Sequence, residues 1–261
     1  MNSENELHVA ASYPEMADVE TSSDAYATRF RGKTGAWMLA VQERAVLNLL
    51  AGHVAPGARI LDVGGGHGQL AIPLVREGYH VDVIGSAPSC RHRLEACIAS
   101  GGCGFEVGNV IDLPYADASF DAVVSVRMLT HCEQWEQLVA EMGRVSRGPV
   151  VTDYPTGQSL NAVAPALFSA KRKYEKNTRE WRLFRHREVA EAFRNVGFSE
   201  TGRRAQFFLP MVLHRVLKCR MLSACAEFVC RVLGLTRLFG TPVVVRMERN
   251  AGDTKEKGKQ S

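Results

Sequence analysis

Two hydrophobic patterns alternate along the chain. Five short segments are each predicted to be a strand, at 59–63, 80–84, 104–107, 120–125 and 148–153, and the first of them is predicted to be buried. Between them, apolar residues recur at helical spacing, which predicts helices at 34–52, 69–77, 90–99 and 135–145. Thr34 is expected to cap the first helix and Gly52 to end it. The alternation predicts βαβ units, a parallel sheet and right-handed crossovers.

The regular alternation ends after Asp153. Residues 155–184 are mixed, basic and expected to be mostly helical, and a further helix is predicted at 188–196. Two more strands are predicted, at 203–209 and 241–247. A long apolar and basic stretch, 211–239, separates these two strands. The second half of the chain therefore interrupts the sheet with two insertions.

The chain is expected to form one domain over 25–249, which begins with cap helices at 25–52. Residues 1–24 are polar and acidic and are expected to be a flexible leader, and 250–261 a solvated tail. The insertions 155–184 and 211–239 are expected to lie on the substrate side.

Composition limits the class of protein. The 261 residues are 46% hydrophobic and 23% charged, which is typical of a globular domain with a sizeable core. The net charge of +4 is too small to indicate a nucleic-acid partner. Seven cysteines without a C-x-x-C pair favour free thiols, and no signal peptide is recognisable, so a cytoplasmic location is expected. No spacing typical of metal ligands is present in the sequence, so no metal is expected.

A glycine-rich turn follows the first predicted strand. Asp62, Gly64, Gly66 and Gly68 form the pattern D-x-G-x-G-x-G. The dinucleotide pattern G-x-G-x-x-G fails because Gln69 stands at the third glycine position, and a P-loop fails because no lysine follows. Glycine after a buried strand lets a ligand approach the backbone at a helix N-terminus.

At this turn the chain resembles the class I S-adenosylmethionine-dependent methyltransferases, of the small-molecule type and similar to the ubiquinone/menaquinone-type domain. A second segment, 108–121, resembles the family segment G-D-A-x-x-L-P-F-x-D-x-S-F-D. The resemblance implies S-adenosyl-L-methionine as cofactor and methyl transfer to a small molecule. It also implies a Rossmann-like, doubly wound sheet of seven strands, mostly parallel with an antiparallel last strand, and helical insertions after strands five and six.

The resemblance assigns cofactor contacts to residues beyond the turn. Asn109 and Val110 stand where the family contacts adenine, and Gly85 and Ser86 stand where it contacts the ribose. Arg127 is expected to approach the methionine carboxylate, with a surface arginine as the alternative.

Gly85 departs from the family pattern, which has an acidic residue at the end of strand two that accepts hydrogen bonds from the ribose hydroxyls. Ser86 supplies at most one such bond and is equally well explained as a helix cap. This departure motivates an alternative function, a non-catalytic methyltransferase-like protein that binds a ligand or a partner.

Candidate residues for the acceptor follow strands four and five. His131 is interpreted as a general base or substrate orienter, or else as a cap of the following helix. Asp153 and Tyr154 are candidates for substrate binding, or they merely end the strand. Tyr26 resembles the N-terminal cap of small-molecule members, which closes over the cofactor. His67 lies inside the glycine turn and is not expected to act as a base.

The insertion 211–239 combines five full cations and one acid, Glu227, with many apolar residues. A basic amphipathic helix of this kind can lie on an anionic membrane surface. It can equally roof a pocket or form a dimer face. The pattern suggests a lipophilic acceptor and a peripheral membrane location as one hypothesis, with the roof or the dimer as the other.

Overall fold

The computed structural model describes residues 13–159 and 182–250. Its seven strands are β1 Arg59–Val63, β2 His80–Gly85, β3 Cys103–Val107, β4 Ala122–Ser125, β5 Val150–Tyr154, β6 Phe198–Phe207 and β7 Thr241–Arg249. Its helices, numbered over the described residues, are α1 Ala17–Thr21, α2 Asp24–Ala27, α3 Gly32–Leu50, α4 Ala71–Arg76, α5 Glu95–Ala99, α6 Trp135–Val145, α7 His186–Asn195, α8 Met211–Leu217, α9 Arg220–Val232 and α10 Leu235–Phe239. Short 3-10 turns connect several of these elements.

The strands form one sheet in the order β3-β2-β1-β4-β5-β7-β6. The first five strands pair in parallel, and β7 runs antiparallel to both β5 and β6. The expected doubly wound sheet with an antiparallel last strand is therefore confirmed. The strand order reverses between β1 and β4, which opens a crevice at the carboxyl ends of these strands, where ligands bind in such sheets.

Side chains of the central strands alternate between two cores. On β1, Leu61 and Val63 face one hydrophobic cluster, and Ile60 faces the other. The predicted helical stripe of α6 packs entirely into the first cluster, through Trp135, Leu138, Val139, Met142 and Val145. Because both faces are covered, the parallel strands consist of nearly continuous apolar residues.

Several element boundaries differ from the sequence prediction, and those of α3 and β6 have a clear physical reason. Helix α3 begins at Gly32, and its N-cap is Arg31, so the expectation that Thr34 caps it is wrong. Thr34 instead lies buried inside the helix. Strand β6 begins at Phe198 rather than 203, because its polar first residues pair with β7 at the edge of the sheet. Edge strands are half solvated, so hydrophobic alternation did not mark that part.

The expectation of a flexible leader over 1–24 is wrong for residues 13–24, the part of it that the structure describes. Helix α1 packs on the turns that follow β1 and β2, with Ala17 at 1% and Asp18 at 0% exposure. Its polar residues meet polar groups at the end of β2 instead of water. Residues 1–12 and the expected tail at 251–261 lie outside the described residues. Asn250 is held by a hydrogen bond to Gly197, so the folded domain extends one residue further than expected.

The second insertion folds as three helices, α8 to α10, between β6 and β7. Most of the first insertion, 160–181, lies outside the described residues. All seven cysteines are free thiols. Within the ranges 13–159 and 182–250, no helix is both long enough and apolar enough to cross a membrane.

Candidate functional site

The turn after β1 is built around left-handed glycines. Gly64 and Gly68 have φ angles of +72° and +75°, which side chains with a Cβ rarely adopt. A Cβ on Gly64 would also lie 2.5 Å from the sulfur of Met128, and a Cβ on Gly65 would overlap the carboxyl group of Asp62. Gly64 and Gly68, two glycines of the motif, are thus required by conformation, and Gly65 between them is required by close packing.

Asp62 lies beneath this turn and is 1% exposed. Neither carboxylate oxygen makes a well-formed hydrogen bond within the described part of the chain. Burial raises the pKa of Asp62 from 3.8 to about 7, although the charge of Arg127 and the Ala71 backbone oppose the shift. A buried carboxylate without strong partners costs free energy, and such groups concentrate at functional sites.

Arg127 follows β4 and adopts a φ angle of +62°, which is unusual for a residue with a side chain. Its backbone N–H donates to Oδ1 of Asp153 at 2.6 Å. Its guanidinium carbon lies 5.5 Å from the ring centre of Tyr26 and 5.4 Å from that of Phe30. The Nε and Nη1 atoms are buried and have no hydrogen-bond partner among the residues described.

A series of hydrogen-bonded polar side chains holds the backbone of Arg127 in this position. Gln69 donates to Gln42 at 2.8 Å, and Gln42 donates to Oδ2 of Asp153 at 2.6 Å. Asp153 is 3% exposed, and burial raises its pKa to about 6. Both its oxygens accept hydrogen bonds from within the protein, and through the backbone of Arg127 Asp153 holds that residue in place.

His67 lies at the open side of the turn, between aromatic rings. Its ring centre is 6.2 Å from that of Tyr26 and 6.3 Å from that of Phe30. Burial, with the charges of Arg127 and Arg93, lowers the pKa of His67 to about 3. The imidazole is therefore neutral at neutral pH. The structure brings Tyr26 to the glycine turn and to Arg127.

The ends of β2 and β3 form the second half of the site. The amide oxygen of Asn109 accepts from the backbone N–H of Ile111 at 3.2 Å, and Val110 is fully buried beside it. Gly85 accepts a hydrogen bond from the backbone of Gly108 at 3.0 Å, which joins the two strand ends. Ser86 is 1% exposed. The four residues that the resemblance assigns to the adenosine portion thus lie together.

His131 ends a 3-10 turn after β4 and is partly buried. Oε1 of Glu15 accepts from the backbone N–H of Gln134, the N-cap residue of α6, at 2.7 Å.

Tyr154 was expected on the substrate side, and the structure contradicts this. It is fully buried, packs on Phe184 and has its hydroxyl 2.9 Å from Nδ1 of His186. Successive strand residues point to opposite faces, so Tyr154 and Asp153 cannot share a site.

Several residues of the site carry no motif. In the sequence, nothing distinguishes Gln42 and Gln69 from other polar residues of predicted helices, or Met128 from other core residues. Asp18 belongs to a segment whose polar composition suggested solvent exposure. Only the three-dimensional contacts reveal them, because side chains that support a turn from a distant element leave no fixed spacing in the sequence.

Known proteins resemble this chain in the same region. Residues 61–148 match the family model described as a methyltransferase domain. An O-methyltransferase of Aspergillus nomiae is 32% identical over 97 residues, 35% of this chain and 43% of that protein. The chain spans only about a third of the length of the first curated relatives that it matches.

Solved structures share the fold over nearly the whole chain. A possible histamine N-methyltransferase from Thermotoga maritima has a TM-score of 0.63 at 18% identity, covering 90% of this chain and 100% of that one. Magnesium protoporphyrin IX methyltransferase from Synechocystis, with bound S-adenosylhomocysteine, has a TM-score of 0.60 at 11% identity, covering 89% and 98%. The glycine turn and the strand order agree with the methyltransferase domain model that matches residues 61–148, and the chain shares the fold of these solved methyltransferases.

Proposed function

We propose that the protein transfers a methyl group from S-adenosylmethionine to a small acceptor. The observation that carries this proposal is the set of buried polar groups without partners at the carboxyl ends of β1 and β4. The carboxylate of Asp62 and the guanidinium of Arg127 present an acceptor and donors of opposite charge beside the glycine turn. Burying both costs free energy unless a ligand satisfies them.

The methionyl end of the cofactor fits these groups chemically. It carries an ammonium, from which the Asp62 carboxylate would accept hydrogen bonds. It also carries a carboxylate, to which Nε and Nη1 of Arg127 would donate. Asn109 and Val110 would hold the adenine. The rings of Tyr26 and Phe30 already lie near a cation, and aromatic faces of this kind would also favour a sulfonium.

When bound, S-adenosylmethionine supplies an electrophilic methyl group on a sulfonium centre. The protein's part is then positioning and exclusion of water. Gln42 and Asp153 hold the backbone of Arg127, which fixes the direction of its side chain. Tyr26 is 8% exposed and closes the turn from solvent. His131 would hold the proton that a hydroxyl acceptor loses.

Calorimetric titration with S-adenosylmethionine and S-adenosylhomocysteine tests the cofactor site. We expect binding by the wild-type protein and at least tenfold weaker binding by Arg127→Met, because a charged hydrogen bond is worth about 1.5–3 kcal/mol. Arg147→Met is the control, since Arg147 pairs with Asp121 on the protein surface. Absence of binding at millimolar cofactor would remove the proposal. Binding without turnover on any acceptor would favour the non-catalytic alternative.

His131 is tested separately. We expect His131→Ala to lower turnover while leaving cofactor binding intact, because the residue is assigned to the acceptor and not to the cofactor. The comparison of turnover with calorimetric affinity separates the two roles. Unchanged turnover with the true acceptor would exclude His131 as the base.

We further propose that the acceptor is lipophilic and that the α8–α10 surface meets an anionic membrane. This surface consists of the exposed apolar residues Val216, Leu217, Met221, Leu222, Phe228, Val229, Val232, Leu233, Leu238 and Phe239. Phe228 and Met221 are 67% and 77% exposed, and apolar residues grouped in this way mark interaction sites.

Charge favours a membrane over a second copy of the chain. The exposed cations of the same segment are Lys218, Arg220, Arg231 and Arg237. Its single acid, Glu227, is 2% exposed and points inward. Two such basic faces would repel each other, whereas anionic lipid headgroups attract them.

Sedimentation with anionic liposomes tests the surface. We expect binding at low salt that is weakened several-fold by Arg231→Glu and by Phe228→Ser. Arg187→Glu, a fully solvated position on α7, is the charge-matched control. No binding by the wild-type protein, together with a concentration-dependent dimer, would favour the dimer interpretation instead.

A further inference from the structure

The end of β2 has no room for the acidic residue that the family places there. A Cβ on Gly85 would lie 2.8 Å from the Cβ of Cys90 and 3.1 Å from the ring of Phe105. Asp82, the acid on the same strand, is engaged by Arg59 at 2.6 Å. A carboxylate for the ribose must therefore come from another element.

Helix α1 brings a carboxylate to this place. Oδ2 of Asp18 accepts from the backbone N–H of Ser86 at 2.7 Å, and Oδ1 accepts from the Ser86 hydroxyl. The thiol of Cys90 lies 3.3 Å from Oδ2. Asp18 thus places its negative charge directly beside Gly85, although it is 67 residues away in the chain.

We propose that Asp18 is the ribose-binding carboxylate and that α1 is the lid that carries it. This inference rests on the proposed function, since it concerns the same cofactor. A carboxylate has about four acceptor positions. Two of its present donors are side-chain groups, the Ser86 hydroxyl and the Cys90 thiol. The two hydroxyls of a ribose can replace these donors while the backbone bond from Ser86 stays.

The lid role follows from what α1 covers. Asp18 is fully buried, so a nucleoside reaches it only when α1 moves outward. Ser22, just after the helix, lies over the glycine turn, because a Cβ on Gly66 would be 2.4 Å from its hydroxyl oxygen. The helix has only five residues, and local segments of a folded protein can open at a lower cost than global unfolding. Glu15, bonded to Gln134, anchors its other end.

Calorimetry with S-adenosylhomocysteine tests the role of Asp18. We expect Asp18→Ala to weaken binding at least tenfold, and Asp18→Asn, which keeps the shape and one acceptor, to weaken it less. Asp24→Ala is the matched control, since Asp24 is an exposed acid on neighbouring α2 that pairs with Arg93 at 2.8 Å. The control should bind like the wild type.

A 2′,3′-dideoxy analogue of S-adenosylhomocysteine separates the ribose contact from general damage. We expect wild type and Asp18→Asn to bind the analogue equally, because the hydroxyls that Asp18 would accept from are missing. Tighter binding of S-adenosylhomocysteine by either Asp18 variant would show that α1 only blocks the site, and equal binding would show that Asp18 has no part in it. Either result overturns the inference.

Proteolysis supplies a readout independent of affinity. S-adenosylhomocysteine at saturation should slow cleavage within 13–24 in the wild type, and less so in Asp18→Asn. Equal protection in both would contradict a lid held by Asp18. A wild-type protein that binds no S-adenosylhomocysteine would instead remove the proposed function, and this inference with it.

Discussion

Two buried carboxylates in this protein have opposite environments. Glu227 on α9 is 2% exposed and accepts from the backbone N–H groups of Phe208 and Leu209, both at 2.9 Å, with His214 3.0 Å away. Asp62 under the glycine turn is 1% exposed and has no comparable partner within the described ranges. Burial alone does not distinguish them.

The difference shows what each carboxylate is for. Glu227 joins the end of β6 to α8 and α9, so its hydrogen bonds serve the fold. The burial of the Asp62 carboxylate without strong partners lowers the stability of the fold. This is the pattern expected where a ligand supplies the missing partners. The contrast predicts substitutions with effects of opposite sign.

The largest effect is expected from Glu227→Ala. This change leaves two backbone N–H groups and a buried histidine without their acceptor. Breaking a buried, hydrogen-bonded carboxylate commonly costs about 3–5 kcal/mol. We therefore expect a loss of unfolding free energy of about that size, measured by urea denaturation at pH 7.

Glu191→Ala provides the control for this measurement. Glu191 lies on the exposed side of α7, and its contact to Arg187 is a loose one of 3.7 Å. Its removal should change stability by less than about 0.5 kcal/mol. If Glu227→Ala also cost less than about 1 kcal/mol, Glu227 would not be a structural anchor and the comparison would fail.

Asp62→Asn should have the opposite sign. Because the pKa of Asp62 is raised from 3.8 to about 7, the folded state keeps a proton that the unfolded state loses between these values. Wild-type stability from this group is therefore present below about pH 4 and is lost as the pH rises through 7. The neutral amide avoids that loss, so the variant should be more stable at pH 8, by up to about 4 kcal/mol.

The pH dependence of the difference isolates Asp62. The advantage of Asp62→Asn over wild type should shrink as the pH falls toward 4, where both side chains are neutral. Asp153 and His67 titrate equally in both proteins and cancel. Asp82→Asn, which breaks a surface pair with Arg59, should show no gain at pH 8. A destabilised Asp62→Asn would mean that the carboxylate supports the fold.

The fold was largely predictable, because its signals are local. Most of the parallel strands are short and largely apolar, and the helix over Trp135–Val145 repeats its apolar residues at helical spacing, so both kinds of element can be recognised in the sequence. Strand β6 was placed five residues late, because an edge strand with polar residues has no such alternation.

The site was predictable only where a motif fixes the backbone. The glycines at 64 and 68 are required by their positive φ angles, and sequence spacing reveals them. Asp18 and Gln42 act through contacts between distant elements, and nothing in their neighbourhood marks them. Tyr154 was misplaced because a strand end offers two faces, and the sequence did not indicate which face met α7.

Tyr154→Phe is expected to have the smallest effect. Tyr154 is a third buried polar residue, and its substitution extends the comparison of Glu227 with Asp62. The change removes one hydrogen bond, to His186, and keeps the ring packed on Phe184. Since His186 is partly exposed and water can replace the lost partner, the cost should be about 1 kcal/mol. Cofactor affinity by calorimetry should stay unchanged. A tenfold loss of cofactor affinity with intact stability would show that Tyr154 belongs to the site. It would also show that the face of β5 to which a side chain points does not decide whether that side chain serves the site.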